Sequence, residues 1–339
     1  MTSNGISAGE ASTAAPSTMT AWRQHSYGGA GTVVSETVAV PRPKRGEVLV
    51  RVEAASINAG DIHLMRGEPR LVRLFFGVRR PRVRGRGMDV VGRVIARGDG
   101  VESLAIGDRV VGAAAETLAD YTVARAARLS AVPEGLPVEI AASLPIAGNT
   151  AVTALDACRV GSGSRVLVIG AGGGVGTLTV QLAAARGAEV WATCGARAEE
   201  LLSRLGAART FDYRTVPLSS LPAGAFEAVI DIAGEPSLTL MRDLLKPKGA
   251  VALVGGEGGR VLGPIPRMLR AVFAARPGRR FRSIAATTKV PVTAALVALA
   301  AEGILTPAIE RTFALAEADA ALAHVESGRT IGKVVVIAA

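Results

Sequence analysis

Cysteine and histidine are scarce in this sequence. Its 339 residues include only Cys158, Cys194 and three histidines. A disulfide framework, a four-cysteine zinc site or a zinc finger needs more of these side chains. We therefore expect no metal centre and no disulfide scaffold.

Long apolar runs are missing as well. No stretch of about 18 uninterrupted apolar residues is present, so the sequence predicts no membrane-spanning helix. Residues 1–18 are small and polar, without the basic start and apolar core of a secretory signal. We expect them to form a disordered tail, and we expect the protein to be cytoplasmic.

Apolar residues are nevertheless plentiful. The hydrophobic set makes up 49% of the chain and charged residues 20%, a composition typical of globular proteins rather than disordered ones. At about 100 to 200 residues per domain, the length predicts two domains.

Positive charge is in excess and is unevenly distributed. The formal net charge is +10, and eight arginines lie between Arg66 and Arg86. A second group comprises Arg276, Arg279, Arg280 and Arg282. Such an excess attracts nucleotide phosphates, nucleic acid or acidic surfaces without distinguishing among them. For the first segment we keep two interpretations, a mobile cover over a substrate cleft and a solvated loop.

Two hydrophobic patterns divide the chain. Between Trp22 and Ala147, short strands are broken by glycine and proline, which predicts a mostly-β domain. From Arg165 onward, apolar strands alternate with helical runs. This alternation predicts a parallel sheet with right-handed crossovers, and hence a doubly wound α/β fold. We expect the last strand, in KVVVIAA, to return to the first domain.

The most specific local motif is the glycine-rich turn in VLVIGAGGGVGTLTVQLA. A buried strand over residues 166–169 runs through this turn directly into an amphipathic helix. Glycines let the backbone approach a pyrophosphate, and the helix N-terminus offers it unpaired N–H groups. Inside a strand–turn–helix unit, the motif predicts a dinucleotide site rather than a plain tight turn. The predicted contacts are Ala171, which replaces the first glycine of the usual fingerprint, Gly172, Gly173, Gly174, Val175 and Gly176.

The end of the next strand favours NADPH over NADH. An acidic side chain about 20 residues after the glycines normally holds the ribose of NAD, but here no carboxylate precedes Glu199. Gly195 lies at this strand end, and Arg197 is placed to pair with a 2′-phosphate. Tyr213 offers a phenolic hydrogen bond to the same group. The alternatives are a solvated Arg197 and a packing role for Tyr213.

Six separated motifs resemble the medium-chain dehydrogenase/reductase superfamily, and within it the zinc-free quinone oxidoreductase and enoyl reductase-like branch. They are EVLVRVEAASINAGDIHLMRGE, GMDVVGRVIARGDGVESLAIGDRVVG, ASLPIAGNTAVTAL, IGAGGGVGTLTVQLA, DIAG and SGRTIGKVVVI. The resemblance implies a GroES-like catalytic domain over residues 19–146 and a Rossmann domain over residues 147–281. It also implies that residues 282–339 complete the catalytic domain, and that two chains form a homodimer through the strand near residues 281–287.

The sequence departs from the zinc alcohol dehydrogenases of that superfamily. Asn58, Met88 and Ala147 or a neighbour stand where those enzymes place a zinc cysteine, a zinc histidine and a second zinc cysteine. Without such a Lewis acid, oxidation of ordinary alcohols is disfavoured. The resemblance then implies metal-free hydride transfer from NADPH to a quinone or to the β-carbon of an α,β-unsaturated carbonyl.

Two other functions stay open. One is a zinc-free aldehyde or ketone reductase of a biosynthetic pathway. The other is a nucleotide- or RNA-binding protein without turnover. Few aromatic residues accompany the arginines and no RNA-binding module frames them, which argues against nucleic acid as a partner.

The resemblance also implies which residues act. Asn58 and Asp61 match polar positions beside the nicotinamide and its ribose, and His63 stands where related enzymes carry a tyrosine that faces the substrate. Asn58 would then hydrogen-bond the ribose or an acceptor oxygen, and the alternative is an asparagine that only forms a turn. His63 would act as a proton donor or oxyanion partner, and the alternative is an exposed loop histidine. Thr150 matches a threonine at the nicotinamide end of the cofactor, and helix capping by Asn149 or Thr150 is the alternative. The remaining predicted cofactor contacts are Gly234, Gly255 and Lys333, the last either near a phosphate or merely flanking a strand.

Overall fold

The computed structural model describes residues 16–255, 260–285 and 287–338. Most of the predicted tail lies outside these ranges. Its last residue was wrongly assigned, because Thr18 is the first residue of a β-strand and pairs with Ala39. No helix in the described ranges is long and apolar enough to cross a membrane.

The N-terminal part is mostly β, as the alternating pattern predicted. Its strands are β1 (Thr18–Gln24), β2 (Val33–Ala39), β3 (Glu47–Ile57), β4 (Asp89–Arg97), β5 (Arg109–Ala113), β6 (Tyr121–Arg125) and β7 (Leu129–Ala131). Its helices are α1 (Ala59–Arg66), α2 (Arg73–Phe76) and α3 (Val138–Ala142), and the longer helix α4 (Pro145–Ala157) connects it to the next sheet. β1 and β2 pair with each other, and the remaining strands join a larger sheet around β3.

A six-stranded parallel sheet follows, which confirms the doubly wound α/β prediction. Its strands are β8 (Arg165–Ile169), β9 (Glu189–Cys194), β10 (Ala207–Asp212), β11 (Phe226–Asp231), β12 (Leu245–Leu253) and β13 (Arg280–Ser283). Its helices are α5 (Gly174–Ala185), α6 (Glu199–Arg204), α7 (Leu238–Leu244) and α8 (Ile265–Ala274). The strand order β10-β9-β8-β11-β12-β13 reverses direction between β8 and β11. Doubly wound folds bind their ligands at such a reversal, beyond the carboxyl ends of the strands.

The chain then returns to the first sheet. The last elements are α9 (Val290–Ala301), β14 (Ile309–Ala314), α10 (Ala318–Glu326) and β15 (Lys333–Ile337). β15 pairs antiparallel with the carboxyl half of β3, while β6 pairs with the amino half of the same strand. The expectation that the final strand rejoins the first domain is therefore confirmed.

Helices cover both faces of the parallel sheet. Val166 and Val168 of β8 pack in one core with side chains of α4 and α5, whereas Leu167 packs in another with side chains of α7 and α8. All three residues are fully buried. Burial on both faces explains why this strand is a continuous apolar run rather than an alternating one.

The predicted domain boundaries fall within two elements. α4 extends across residues 146 and 147, and β13 extends across residues 281 and 282. β13 belongs to the six-stranded sheet, whereas β14 and β15 belong to the larger mixed sheet. The division of the chain at those positions remains a prediction.

Candidate active site

The glycine-rich turn joins β8 to α5 at the carboxyl edge of the parallel sheet. Gly170 has a φ of +79°, a conformation that favours glycine. Ala171 is buried and donates its N–H to the Thr193 carbonyl at 2.9 Å. α5 begins at Gly174, with Gly173 as its N-cap. The first N–H groups of a helix have no partner inside it, and a pyrophosphate can accept hydrogen bonds from them.

The glycines of the turn differ in the space around them. A Cβ on Gly176 would lie 2.5 Å from the Ala171 carbonyl oxygen, so this glycine allows α5 to pack closely on the turn. A Cβ on Gly172 would lie 3.3 Å from the Ala198 Cβ. A Cβ on Gly173 would meet no described atom within 4 Å. Open space over Gly173, next to the helix N-terminus, fits the pyrophosphate of a dinucleotide.

The segment leading into β15 holds the turn in place. Gly332 donates its N–H to the Gly172 carbonyl at 2.8 Å, and Gly173 forms a parallel β-bridge with Gly332. A Cβ on Gly174 would lie 2.5 Å from Cδ of Lys333. Gly174 therefore leaves room for the Lys333 side chain to cross the turn, and the mixed sheet contacts the predicted cofactor turn directly.

Lys333 reaches from this contact into a group of buried polar residues. Its Nζ donates to Asn58 Oδ1 at 2.7 Å and lies 3.7 Å from Asp89 Oδ2. Asp89 Oδ2 also accepts from Asn58 Nδ2 at 2.9 Å and from the Ser56 hydroxyl at 2.8 Å. Asp61 Oδ2 accepts the Asn58 backbone N–H at 2.8 Å. We call these five residues the polar cluster.

Burial governs the ionisation of the polar cluster. It raises the pKa of Asp61 to about 7, an effect opposed by the hydrogen bond from Asn58 and reinforced by the neighbouring Asp89 carboxylate. Burial likewise raises the pKa of Asp89 and lowers that of Lys333, while the attraction between these two groups opposes both shifts. A carboxyl that titrates near neutral pH can hold a proton for catalysis.

A cavity of about 460 Å³ opens beside the polar cluster. Asp61 and Leu64 of α1, Met88, and Ile146 of α4 form part of its wall. The arginine-rich segment forms another part, through residues that include Phe76, Pro81, Val83, Gly85 and Arg86. The segment thus lies at the cavity, as expected for a cover. Its mobility remains a prediction.

Arg86 places a buried cation in this cavity wall. Its exposed fraction is 5%, and burial lowers the pKa of its guanidinium while attraction to Asp61 opposes the shift. Its Nη2 donates to the Val83 carbonyl at 2.9 Å. Its Nε makes no hydrogen bond with any described residue. A buried cation whose N–H group has no hydrogen-bond partner can stabilise an anionic oxygen of a bound substrate.

The predicted catalytic residues differ in their position relative to the cavity. Asn58 belongs to the polar cluster and is also the N-cap of α1. The turn-forming role is therefore compatible with a role in the site, which remains a prediction. Asp61 lines the cavity, whereas His63 is not one of the described residues that do so. The role of His63 as proton donor remains a prediction, and the geometry favours Asp61 instead.

Thr150 lies inside α4, where it is buried and donates to the Ile146 carbonyl at 2.7 Å. The capping alternative for Asn149 or Thr150 is wrong, because α4 begins at Pro145. Asn149 instead donates to the Thr293 hydroxyl at 2.9 Å and links α4 to α9. The predicted contact of Thr150 with the nicotinamide end remains a prediction.

Basic and aromatic side chains gather at the carboxyl ends of β9 and β10. A Cβ on Gly195 would lie 3.5 Å from Arg214 Nη1 and 3.8 Å from the Tyr213 ring. Arg214 stacks its guanidinium over that ring, 5.0 Å from the centroid. Tyr213 is 58% exposed, so a packing role does not fit it. Arg197 is exposed and donates to the Arg329 carbonyl at 2.7 Å.

Gly234 and Gly255 follow β11 and β12 at the same edge. Gly234 has a φ of +79° and donates its N–H to Asp231 Oδ1 at 2.9 Å. A Cβ on Gly255 would lie 2.2 Å from the Ile232 carbonyl oxygen. Both glycines are thus needed for the local backbone path, and their contact with a cofactor remains a prediction.

The three positions that correspond to the zinc ligands of zinc alcohol dehydrogenases carry side chains that do not bind zinc. The Asn58 amide is engaged with Asp89 and Lys333, Met88 offers a thioether, and Ala147 offers no donor. Protein zinc is held by thiolate, imidazole and carboxylate ligands. Within the described ranges, no three histidine, cysteine, aspartate or glutamate side chains cluster as a metal site would require. These residues do not fit zinc.

Sequence reasoning missed Asp89, Arg86 and Arg214. Asp89 is the first residue of the apolar strand β4. A carboxylate at the start of a buried strand needs polar partners, and this was the feature of the sequence that could have identified it. Arg86 was hidden among eight arginines of one segment. Arg214 directly follows Tyr213, and its contact with Gly195 depends on the pairing of β10 with β9.

Comparison with known proteins places the chain in a family. The model of the alcohol dehydrogenase GroES-like domain matches residues 44–142, and that of the zinc-binding dehydrogenase matches residues 205–336. A chloroplastic quinone-oxidoreductase of Triphysaria versicolor is 32% identical over 322 residues, which span 91% of this chain and 95% of the relative. An NADPH-dependent alkenal/one oxidoreductase of Arabidopsis thaliana is 32% identical over 232 residues, 65% of this chain and 58% of the relative.

Solved structures agree with these relatives. A quinone oxidoreductase from Coxiella burnetii has a TM-score of 0.85 at 29% identity, covering 94% of this chain and 99% of its own. A mycobacterial protein complexed with NADPH has a TM-score of 0.78 at 27% identity, with the same coverage of 94% and 99%. The fold and the site therefore define a dehydrogenase or reductase with one mixed sheet and one parallel sheet of the dinucleotide-binding type. The chain belongs to the medium-chain dehydrogenase/reductase superfamily, in its quinone oxidoreductase and enoyl reductase-like branch, which confirms the predicted family and makes it an oxidoreductase.

Two glycine substitutions should separate folding from cofactor binding. Gly176→Ala should lower the melting temperature, because its Cβ would clash with the Ala171 backbone. Gly173→Ala should leave the melting temperature unchanged and weaken NADPH binding by about tenfold or more, since its methyl group would enter the space for the pyrophosphate. Thermal unfolding and calorimetric titration measure the two effects. Unimpaired NADPH binding by a folded Gly173→Ala protein would contradict the assignment.

The raised pKa of Asp61 should make stability depend on pH. This pKa is 3.8 in an unperturbed carboxyl and about 7 in the folded chain. Between these values the folded chain binds the additional proton, so the free energy of unfolding should fall as pH rises towards 7. Asp61→Asn should remove that part of the slope. Urea denaturation at several pH values measures it, with the exposed Asp319→Asn as control. Equal slopes in all three proteins would refute the shift.

Proposed function

We propose that the protein is an NADPH-dependent, metal-free reductase of quinones or of activated alkenes. One observation carries this proposal: the polar cluster lies between the glycine-rich turn, which Lys333 contacts, and the cavity, which Asp61 lines. The residues at this place do not form a set of zinc ligands. The names of the two relatives, a quinone-oxidoreductase and an alkenal/one oxidoreductase, support the same acceptors.

The nicotinamide, when bound, supplies a hydride to an acceptor that is already electrophilic. The remaining work falls to side chains of this chain. Lys333 and Asp89 hold Asn58 in one orientation at the end of β3, where it is available to the cofactor ribose or the acceptor oxygen. Arg86 stabilises the developing enolate or quinol oxygen. Asp61, protonated below about pH 7, delivers the proton.

Arg214, Arg197 and Tyr213 support a preference for NADPH over NADH. They lie at the strand ends where the adenosine ribose of a dinucleotide is bound in this fold. The two guanidinium groups supply charge-assisted hydrogen bonds to a 2′-phosphate, which NADH lacks. Along the chain, no carboxylate follows β9 before Glu199, whereas Asp212 of β10 pairs with Cys194 at the same strand end.

A homodimer formed through β13 is a further part of the proposal. β13 is one of the two edge strands of the six-stranded sheet, and Arg280 and Arg282 on it are exposed. An unpaired strand edge can pair with a second copy. A cytoplasmic location stays a prediction, since some of the relatives are chloroplastic.

Removing the basic group should reduce the preference for NADPH. Arg214→Ala, and to a similar degree Arg197→Ala, should raise the KM for NADPH by about tenfold or more while the KM for NADH changes little. Arg204→Ala, which removes an exposed arginine paired with Glu200 on α6, is the matched control. Steady-state kinetics with both nucleotides measures the effect. Equal changes for NADPH and NADH would argue against a 2′-phosphate site here.

An acceptor panel tests the reaction class. With NADPH, a water-soluble benzoquinone and a small enone should both be reduced faster than a saturated aldehyde or ketone. A chelator should leave the rate unchanged, and the rate should fall as pH rises above about 7, because Asp61 then loses its proton. Turnover of saturated carbonyls alone would instead establish the carbonyl reductase alternative. Salt-sensitive RNA binding without any turnover would establish the binding-protein alternative.

A further inference from the structure

The apolar face of α8 is turned towards solvent. Ile265, Met268, Leu269, Val272 and Phe273 recur at the spacing of one helix face, and all five are exposed. Phe273 is 88% exposed and Val272 is 70% exposed. Ordinary surface helices bury such a face against the core, so this face marks an interaction site.

A second exposed apolar stretch lies next to α8. Leu74, Phe75 and Phe76 of α2, followed by Val78, are exposed, and Phe75 reaches 73%. The chain just before α2 runs along the chain just before α8. Arg70 donates its N–H to the Arg260 carbonyl at 2.8 Å, and Leu71 donates to the Val261 carbonyl at 3.0 Å. The two stretches therefore form one surface, which we call the apolar–basic patch (residues 66–86 and 260–276) and which ends before β13.

The patch has a strong positive charge. Its two segments contain twelve arginines and one acidic residue, although the whole chain has a net charge of only +10. The rest of the chain is therefore net negative. Several of these arginines are exposed and have no acidic partner within 4.0 Å among the described residues. They include Arg79, Arg80, Arg82 and Arg270.

The patch is continuous with the candidate active site. Phe76 and Val83 are exposed on the patch and also line the cavity. Arg86, at the end of the first segment, is buried in the cavity wall. A surface that contacts the patch therefore contacts the rim of the cavity.

We propose that the apolar–basic patch docks on a membrane surface that contains anionic lipids. Long aliphatic side chains on an amphipathic helix with arginines at its margin match the interfacial region of a bilayer, where apolar groups enter and cations pair with lipid headgroups. The benefit of such docking rests on the proposed function, since a lipophilic quinone would then enter the cavity directly from the bilayer.

The composition of the patch argues against two other occupants. RNA is bound by cations together with aromatic rings that stack on bases, but the exposed apolar side chains of the patch are mostly aliphatic, with Phe75, Phe76 and Phe273 as the aromatic ones. A second copy docked patch to patch would bring twelve arginines against twelve more with few acidic groups between them, whereas a dimer formed through β13 lies outside the patch. Such juxtaposition of like charges costs binding free energy. An anionic bilayer instead satisfies both the apolar and the basic part of the patch.

Vesicle flotation tests the proposal without any turnover. The full chain should float with vesicles of mixed phosphatidylcholine and phosphatidylglycerol, and float far less with phosphatidylcholine alone or at high salt. Leu269→Asp with Phe273→Asp, and separately Arg79→Glu with Arg80→Glu, should each lower the bound fraction by about tenfold or more. Ile106→Asp, an exposed apolar residue outside the patch, and Arg125→Glu, an exposed arginine on β6, are the matched controls.

Three results would overturn the proposal. They are failure of the wild-type chain to float with anionic vesicles, equal flotation of patch and control variants, and a change of molar mass in light scattering when the patch is substituted. The last result would assign the patch to a second copy. Binding to RNA but not to vesicles would assign it to nucleic acid. Reduction of a water-soluble benzoquinone reports the proposed function separately, so either claim can fail while the other holds.

Discussion

The backbone contact between the glycine-rich turn and the segment before β15 determines how the site is assembled. Gly332 donates to Gly172, and Lys333 then crosses the turn to reach Asn58. The turn belongs to the parallel sheet, whereas Asn58 and β15 belong to the mixed sheet. Through this contact, the place predicted for the pyrophosphate and the place predicted for the chemistry are held at a fixed separation. Orientation of this kind is a large part of what a reductase contributes to hydride transfer.

The polar cluster is costly to the fold, which supports a functional role for it. An ammonium and two carboxyls are removed from water, and their hydrogen bonds only partly offset the loss of solvation. Burial at the same time raises the pKa of Asp61 to about 7. A group that can both hold and release a proton at neutral pH is what a metal-free reductase needs once its acceptor has become an anion.

Local patterns predicted the fold well. The parallel sheet and the glycine-rich turn depend on short stretches of sequence, such as the run from Val166 to Gly176, and a strand followed by a glycine-rich turn and a helix is a recurring unit of dinucleotide-binding folds. The polar cluster could not be predicted in this way, because Lys333 and Asn58 are separated by 275 residues and meet only when β15 pairs with β3. Spacing along the chain also does not separate His63 from Asp61, which lie two residues apart, although only Asp61 is among the described residues that line the cavity. The outward-facing apolar side of α8 likewise depends on what the helix packs against, which periodicity alone does not reveal.

A crystal structure of the protein with NADPH tests the central claim most directly. We expect the pyrophosphate over Gly173 at the N-terminus of α5, the 2′-phosphate beside Arg214 and Arg197, and the nicotinamide at the polar cluster, facing the cavity. A nucleotide bound elsewhere, or a nicotinamide separated from Asn58 and Asp61 by the width of the cavity, would contradict it.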